Sequence, residues 1–317
     1  MPDSLPPPGS PPPQLRPFAI AAGLVTLAFS VPLLRLLRFS IGDDLYSYIP
    51  LMPFVTAYLI WAQPPRSAQP SPPSGLTSGG DALAGSRVLS ALFLAAGIAT
   101  AATAFALARS PALAAPENFL ALTTFAWLLC LAGMGCWFLS GPHIRAVAFP
   151  FCLLLFMVPI PAHARDWLEG ALQHGSATVA DWMFVVTGTA FWRTDTVFNL
   201  PGITLEVTPE CSGIHSTWVL LITSFVAGYL ILHQAWRRAL LVLAVIPLAL
   251  LRNGFRVFVI GQLCIHVGPR MIDSPVHHHG GPLFFVLSLV PFFLLLYFLR
   301  KTEKKTVKGG GVVASQA

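Results

Sequence analysis

The chain has 317 residues, 55% of them hydrophobic and 10% charged, with a mean hydropathy of +0.70. Soluble domains carry about 25% charged residues, so the composition excludes a soluble globular enzyme and a small secreted disulfide scaffold. The formal charge is +6, but the basic residues flank apolar segments, where they set membrane topology and argue for no nucleic-acid partner.

Residues 1–16 form a Pro-rich tail, expected to be disordered and lacking the features of a cleaved signal peptide. A transmembrane domain follows over 17–300, then a basic tail over 301–317. About twenty apolar residues cross a bilayer as helix. On that ruler, spans fall near 18–34, 46–61, 88–108, 119–139, 147–161, 216–232, 239–260 and 283–299. The second is short and holds Pro50 and Pro53. A Pro/Ser/Gly-rich linker occupies 63–87.

Between the fifth and sixth spans lies the longest polar segment. Its first part, 162–184, places Leu168, Leu172, Val179 and Met183 near helical spacing among Asp166, Gln173 and Asp181. This predicts an amphipathic helix on the membrane surface, with a polar-interrupted ninth span as the alternative. Residues 196–207 then alternate apolar and polar around Pro201-Gly202, the pattern of a β-hairpin. The expected fold is therefore an all-α polytopic membrane protein. It has about eight transmembrane helices, an outward-facing surface helix, and a small β-hairpin before the sixth.

Lys and Arg in short loops mark the cytoplasmic side. The basic segments 233–238 and 300–305 lie two spans apart, so they share that side. An even number of spans puts both termini there, in a plasma membrane. Three chemical groups then face outward. Cys211 precedes the sixth span, Arg256 lies near the outward end of the seventh, and His277, His278 and His279 precede the eighth.

A thiolate attacks carbonyls and is activated by a neighbouring imidazole or cation. A guanidinium holds a carboxylate or a developing oxyanion. Together these groups suit acyl transfer through a thioester. The start of a helix favours the thiolate of Cys211, and Glu210 opposes it. Each group also has an ordinary explanation: a structural thiol such as Cys130 or Cys152, a snorkelling arginine, a histidine run that binds metal adventitiously. Arg252, one turn from Arg256, is the natural control and a rival for its role. There is no His-Glu-x-x-His zinc motif and no nucleotide-binding glycine pattern, so neither metal nor cofactor is expected. A small-solute transporter would spread polar groups through the midplane, and a non-catalytic component of exopolysaccharide or envelope export would not need Cys211.

Several motifs occur in a fixed order. They are Val158-Pro159-Ile160-Pro161, the Leu200-Pro201-Gly202 turn before Leu205-Glu206-Val207, and Glu210-Cys211-Ser212-Gly213-Ile214. Asn253-x-x-Arg256-Val257 follows, then His277 with Gly281 four residues on. Across 147–299 this resembles the exosortase/archaeosortase family of membrane transpeptidases, which serve PEP-CTERM-type protein sorting. The family often has Ala before the Cys and an aromatic residue after the Gly, where this chain has Glu210 and Pro282.

The resemblance implies a cysteine peptidase/transpeptidase with Cys211 as nucleophile, Arg256 orienting the substrate or stabilising the oxyanion, and His277 as acid/base. It implies, as partners, exported proteins whose C-terminal signal joins a motif such as Pro-Glu-Pro to a membrane helix and a basic cluster. It leaves open the lipid or exopolysaccharide that accepts the product, and the oligomeric state.

Overall fold

A computed structural model describes residues 15–62, 79–139, 141–208, 212–268, 270–271 and 281–313. The expected disordered tail lies almost wholly outside these residues, as do most of the linker, Cys211 and the three histidines. The chain divides into two compact units, Met1–Ala162 and His163–Ala317.

The first unit is helical. Helices α1 (Leu15–Ala28) and α2 (Ser30–Gly42) meet at a 69° bend, so the expected first span is broken. Pro32 explains the break, because its ring displaces the carbonyl four residues back, that of Ala28, from the helical ladder. The expected second span yields only the ten-residue helix α3 (Met52–Trp61), preceded by two 3₁₀ turns, Asp44–Tyr46 and Ile49–Leu51. Pro50 and Pro53 fit first-turn positions and not a helix interior, so the α-helix starts only at Met52.

Helix α4 (Gly79–Ala106) begins inside the segment expected as linker and packs along α5 (Pro116–Phe138). The contact is close because it uses small residues. A Cβ on Gly97 would lie 2.7 Å from the Cys130 sulfur, and one on Gly133 would lie 2.7 Å from Leu94. Ser90 Oγ donates to the Gly133 carbonyl at 2.7 Å. Without a hydrophobic drive between helices in lipid, such close packing and hydrogen bonding hold them together. Helix α6 (Gly141–Leu153) continues as a 3₁₀ turn, Leu154–Met157. Beyond it, the Ile160 carbonyl accepts from Tyr46 Oη at 3.2 Å, and the Asn118 side chain accepts from the Ala162 amide at 2.9 Å.

The second unit begins with α7 (Ala162–Val186), which is the expected helix of the outward segment. Its buried stripe is Leu172, Ser176, Ala177, Ala180 and Phe184; of the larger residues that the hydrophobic pattern singles out, Leu172 is in it, while Leu168, Val179 and Met183 are only half-buried. Size decides the face. The small residues admit α10 (Val245–His266), where a Cβ on Gly254 would lie 2.6 Å from Val179 and 3.0 Å from the Ser176 carbonyl.

A three-stranded antiparallel sheet follows: β1 (Trp192–Thr194), β2 (Val197–Leu200) and β3 (Ile203–Glu206). The expected hairpin is β2–β3, closed by Pro201-Gly202 with Leu200 opposite Ile203. Gly202 has φ +83°, the left-handed value that the third residue of a type II turn requires after Pro. Strand β1 adds to what the sequence pattern predicts. Alternation puts Phe198, Leu200 and Leu205 inward, where with Val207 they bury against Ala177, Ala180 and Phe184 of α7 and Val257, Ile260 and Cys264 of α10. The rings of Phe191, Phe198 and Phe258 surround Phe184 at centroid distances of 5.3–5.5 Å. Burying a side chain as large as Phe198 contributes roughly 1.5–3 kcal/mol where it leaves water.

Helix α8 (Ile214–Ile231) leads to α9 (Ala235–Leu243), α10 and finally α11 (Gly281–Val313). At the α8–α9 corner the Glu303 carboxylate, 5% exposed, accepts from the amides of His233 and Gln234. Arg237 donates to the Leu299 carbonyl and to Thr302 Oγ1. The two basic segments therefore sit at one end of this unit, as the sequence predicts, and the foot of α8 is at the other.

Among the described residues, five helices are long and apolar enough to cross a membrane: Arg87–Ala106, Pro116–Phe138, Ile214–Ile231, Ala235–His266 and Gly281–Glu303. Two interrupted pairs, Arg16–Ala28 with Ser30–Gly42 and His143–Met157 with Ala162–Val186, raise the count to as many as seven. The protein is a largely helical multi-pass membrane protein with five to seven such spans, against about eight expected.

Candidate functional site

The site is built around the connection from the sheet to α8. Leaving β3, the chain reaches Val207, which is 1% exposed. Its amide donates to the Thr196 carbonyl at 3.1 Å, and its carbonyl accepts from Gln173 Nε2 of α7. After the undescribed residues 209–211, Ser212 is buried at 1% exposure and Gly213 takes φ +72° as the residue before α8. Left-handed backbone costs a residue with a Cβ roughly 1–2 kcal/mol, so a glycine is suited to this corner.

Helix α10 supplies the polar groups that meet it. Arg252, 8% exposed, directs Nη2 to the Gly213 carbonyl at 3.1 Å and to Thr217 Oγ1 at 3.2 Å. Thr217 Oγ1 itself donates to the same carbonyl at 2.8 Å. The next residue, Asn253, is 2% exposed and donates to Ser176 Oγ of α7 at 3.1 Å. A Cβ on Gly213 would stand 2.8 Å from Arg252 Nη2 and 3.2 Å from Asn253 Oδ1. Helices α7, α8 and α10 thus share one polar station in an otherwise apolar bundle.

Arg256 lies on α10, half-buried, one turn beyond Arg252. The four-residue spacing puts both guanidinium groups on one face of the helix. Arg256 is not near the end of its span, because α10 continues to His266. That extra length carries Val257, Ile260 and Cys264, which the sheet and α7 cover.

Of the three site residues predicted, the structure therefore describes only Arg256. Cys211 and His277 lie outside the described residues, with His278 and His279. Ser212 and Gly213, which follow Cys211, are described, and Arg252 donates to the Gly213 carbonyl. The Arg252–Gly213 bond, Asn253, Ser176 and Gln173 are what sequence reading missed. The signal available was two arginines and an asparagine within five residues of a membrane helix, an expensive set that marks function.

Over residues 41–294 the chain matches the family described as transmembrane exosortase (Exosortase_EpsH). The chain belongs to that family. No curated protein and no solved structure matches it significantly. In this exosortase-family chain, the matched region contains the polar station, the sheet, the segment around Cys211 and the histidine run.

Other features of the exosortase chain separate from this station. Cys130, Cys136 and Cys264 are buried free thiols, whereas Cys152 is exposed on α6, contrary to its expected place among apolar neighbours. Among the described residues no group of three His, Cys, Asp or Glu is placed to hold a metal. A cavity of about 260 Å³ opens between α7, α10 and α11, with apolar walls that include Met183, Leu251, Phe255 and Phe284 and with Arg252 at its lining.

Proposed function

We propose that this protein is a cysteine-dependent membrane transpeptidase or protease that removes C-terminal sorting signals from exported proteins. Membership of the transmembrane exosortase family supports the general activity. The observation that carries the residue-level reading is the polar station at the foot of α8, one residue beyond the Cys211-Ser212 pair. A buried arginine there donates to the turn that follows the proposed nucleophile, and the buried asparagine beside it donates to Ser176 of α7.

In this mechanism the Cys211 thiolate adds to the carbonyl of the peptide bond beside the recognition motif. The carbonyl oxygen takes up negative charge, and the Arg256 guanidinium stabilises it. As the C–N bond breaks, His277 protonates the leaving amine, which departs with the substrate's membrane helix and basic cluster. A thioester remains on Cys211. Water or an amine, the latter from a lipid or polysaccharide acceptor, then attacks the thioester and returns the thiol. The basic end of the second unit faces the cytoplasm and the foot of α8 faces outward, so the site meets substrates after export. Family membership favours this reading over a transporter.

The test is to co-express the chain with a reporter bearing such a C-terminal signal and follow its size. Cys211→Ala and Cys211→Ser abolish processing in this account, as does alanine at His277 but not at His278 or His279. Normal processing by Cys211→Ala would remove the mechanism and restore the non-catalytic export role.

A further inference from the structure

We propose that Arg252 is a positioning residue: it fixes the far side of the segment that carries Cys211, while Gln173 fixes the near side. The inference rests on the reading of Cys211 as nucleophile. Two side chains from two different helices grip main-chain carbonyls on either flank of residues 209–211. Gln173 of α7 holds the carbonyl of Val207, and Arg252 of α10 holds that of Gly213. The two helices are themselves tied together by Asn253 to Ser176 and by the close approach at Gly254.

Helix capping does not explain the arginine. The Gly213 carbonyl already accepts from the Thr217 amide at 3.0 Å, from Thr217 Oγ1 at 2.8 Å and from Ser216 Oγ at 3.1 Å. A fourth donor adds little to its satisfaction. Ion pairing does not explain it either, since among the described residues Arg252 has no carboxylate partner. A charge taken out of water in a bundle is costly and calls for a compensating role. What the guanidinium uniquely provides is a planar, rigid donor that spans from α10 to the turn and locks it against Thr217.

Val207 and Gly213 flank residues 209–211 in the chain, so holding both carbonyls fixes the two ends to which that segment is covalently tethered. A misplacement of about 1 Å at a reacting atom costs on the order of a hundredfold in rate. Arg252 and Gln173 therefore act through the placement of Cys211 and not by touching substrate. That separates Arg252 from Arg256, which the mechanism assigns to the reacting carbonyl.

The test measures reporter processing by the full-length chain in its membrane, per folded molecule, for Arg252→Lys, Arg252→Gln and Gln173→Ala. Each is expected to lower kcat by about tenfold to a hundredfold with KM within about twofold, because a positioning residue acts on the chemical step. Arg252→Lys should recover part of what Arg252→Gln loses. The Arg252→Gln and Gln173→Ala effects should combine less than additively, since both act on one segment. Lysine keeps the charge and fits the same space, so it serves if the glutamine variant does not accumulate.

Wild-type kcat in Arg252→Lys and Gln173→Ala overturns the proposal, as does a raised KM at unchanged kcat, which would make Arg252 a substrate contact. Cys211→Ala in the same assay separates the two readings. If it processes normally, the nucleophile assignment fails. If it is inactive while the Arg252 and Gln173 variants are normal, only the positioning role fails.

Discussion

The two ends of α8 handle buried charge in opposite ways. At the α8–α9 corner, Glu303 accepts backbone amides and Arg237 donates to a carbonyl and a hydroxyl, so acid and base are both present and held by fixed partners. At the foot of α8, Arg252 lies buried with no carboxylate partner among the described residues, and Arg256 stands one turn away on the same helix face. Glu303 and Arg237 bind parts of the protein to each other. Arg252 and Arg256 place two guanidinium groups on one face of α10, the first of them bonded to the turn that follows Cys211. The first end serves as an anchor, and in the proposed mechanism the second is where a developing negative charge is stabilised.

Substitutions should separate the ends. Arg256→Ala is expected to lower processing by about 10²–10³-fold, the usual cost of losing one donor to an oxyanion, with the thermal midpoint in detergent little changed; processing rates and melting curves check both halves. Gly213→Ala comes next. It combines left-handed strain of roughly 1–2 kcal/mol with a clash against Arg252 Nη2. We expect processing in the reporter assay to fall about tenfold to a hundredfold.

Glu303→Gln belongs to the other end and should behave differently. Replacing a carboxylate that accepts several backbone bonds should destabilise the chain by about 1–3 kcal/mol and lower the midpoint, while processing per folded molecule stays at the wild-type value. A loss of rate without a loss of stability would erase the distinction between anchor and site. The smallest effect concerns the remaining thiols. Cys152→Ala should leave processing unchanged in the reporter assay, since Cys152 is no part of the polar station.

Much of the second unit could be read from its residues. Alternation about Pro201-Gly202 specified β2 and β3 because a two-residue period and a glycine at positive φ are local requirements. Hydropathy placed α8 and the start of α11 within two residues, since a continuous apolar run leaves little choice, whereas the expected seventh span, 239–260, runs across the break between α9 and α10 and stops six residues short of His266. The paired basic segments predicted that the α8–α9 corner and the end of α11 lie together, and the Arg237 and Glu303 contacts agree.

Other features depended on information that the local pattern does not carry. Strand β1 is three residues long, too short to show a period. Pro32 lies inside a long apolar run, so hydropathy alone merged α1 and α2 into one span. The buried face of α7 is chosen by the small size of Ser176, Ala177 and Ala180, which a hydrophobicity count undervalues. The contact of Arg252 with Gly213 joins residues far apart in sequence. Arg252 was legible as an unusual residue, but not as a partner of the turn after Cys211.

The most direct test of the central claim is to trap the acyl-enzyme. The full-length protein in its membrane is mixed with a reporter bearing a C-terminal sorting signal, quenched in acid, digested and examined by mass spectrometry. The account predicts a peptide containing Cys211 that carries the reporter's new C-terminal fragment as a thioester, released by hydroxylamine and missing from Cys211→Ala. Reporter cleavage with that peptide unmodified, and with Cys211→Ala cleaving at the wild-type rate, would contradict it.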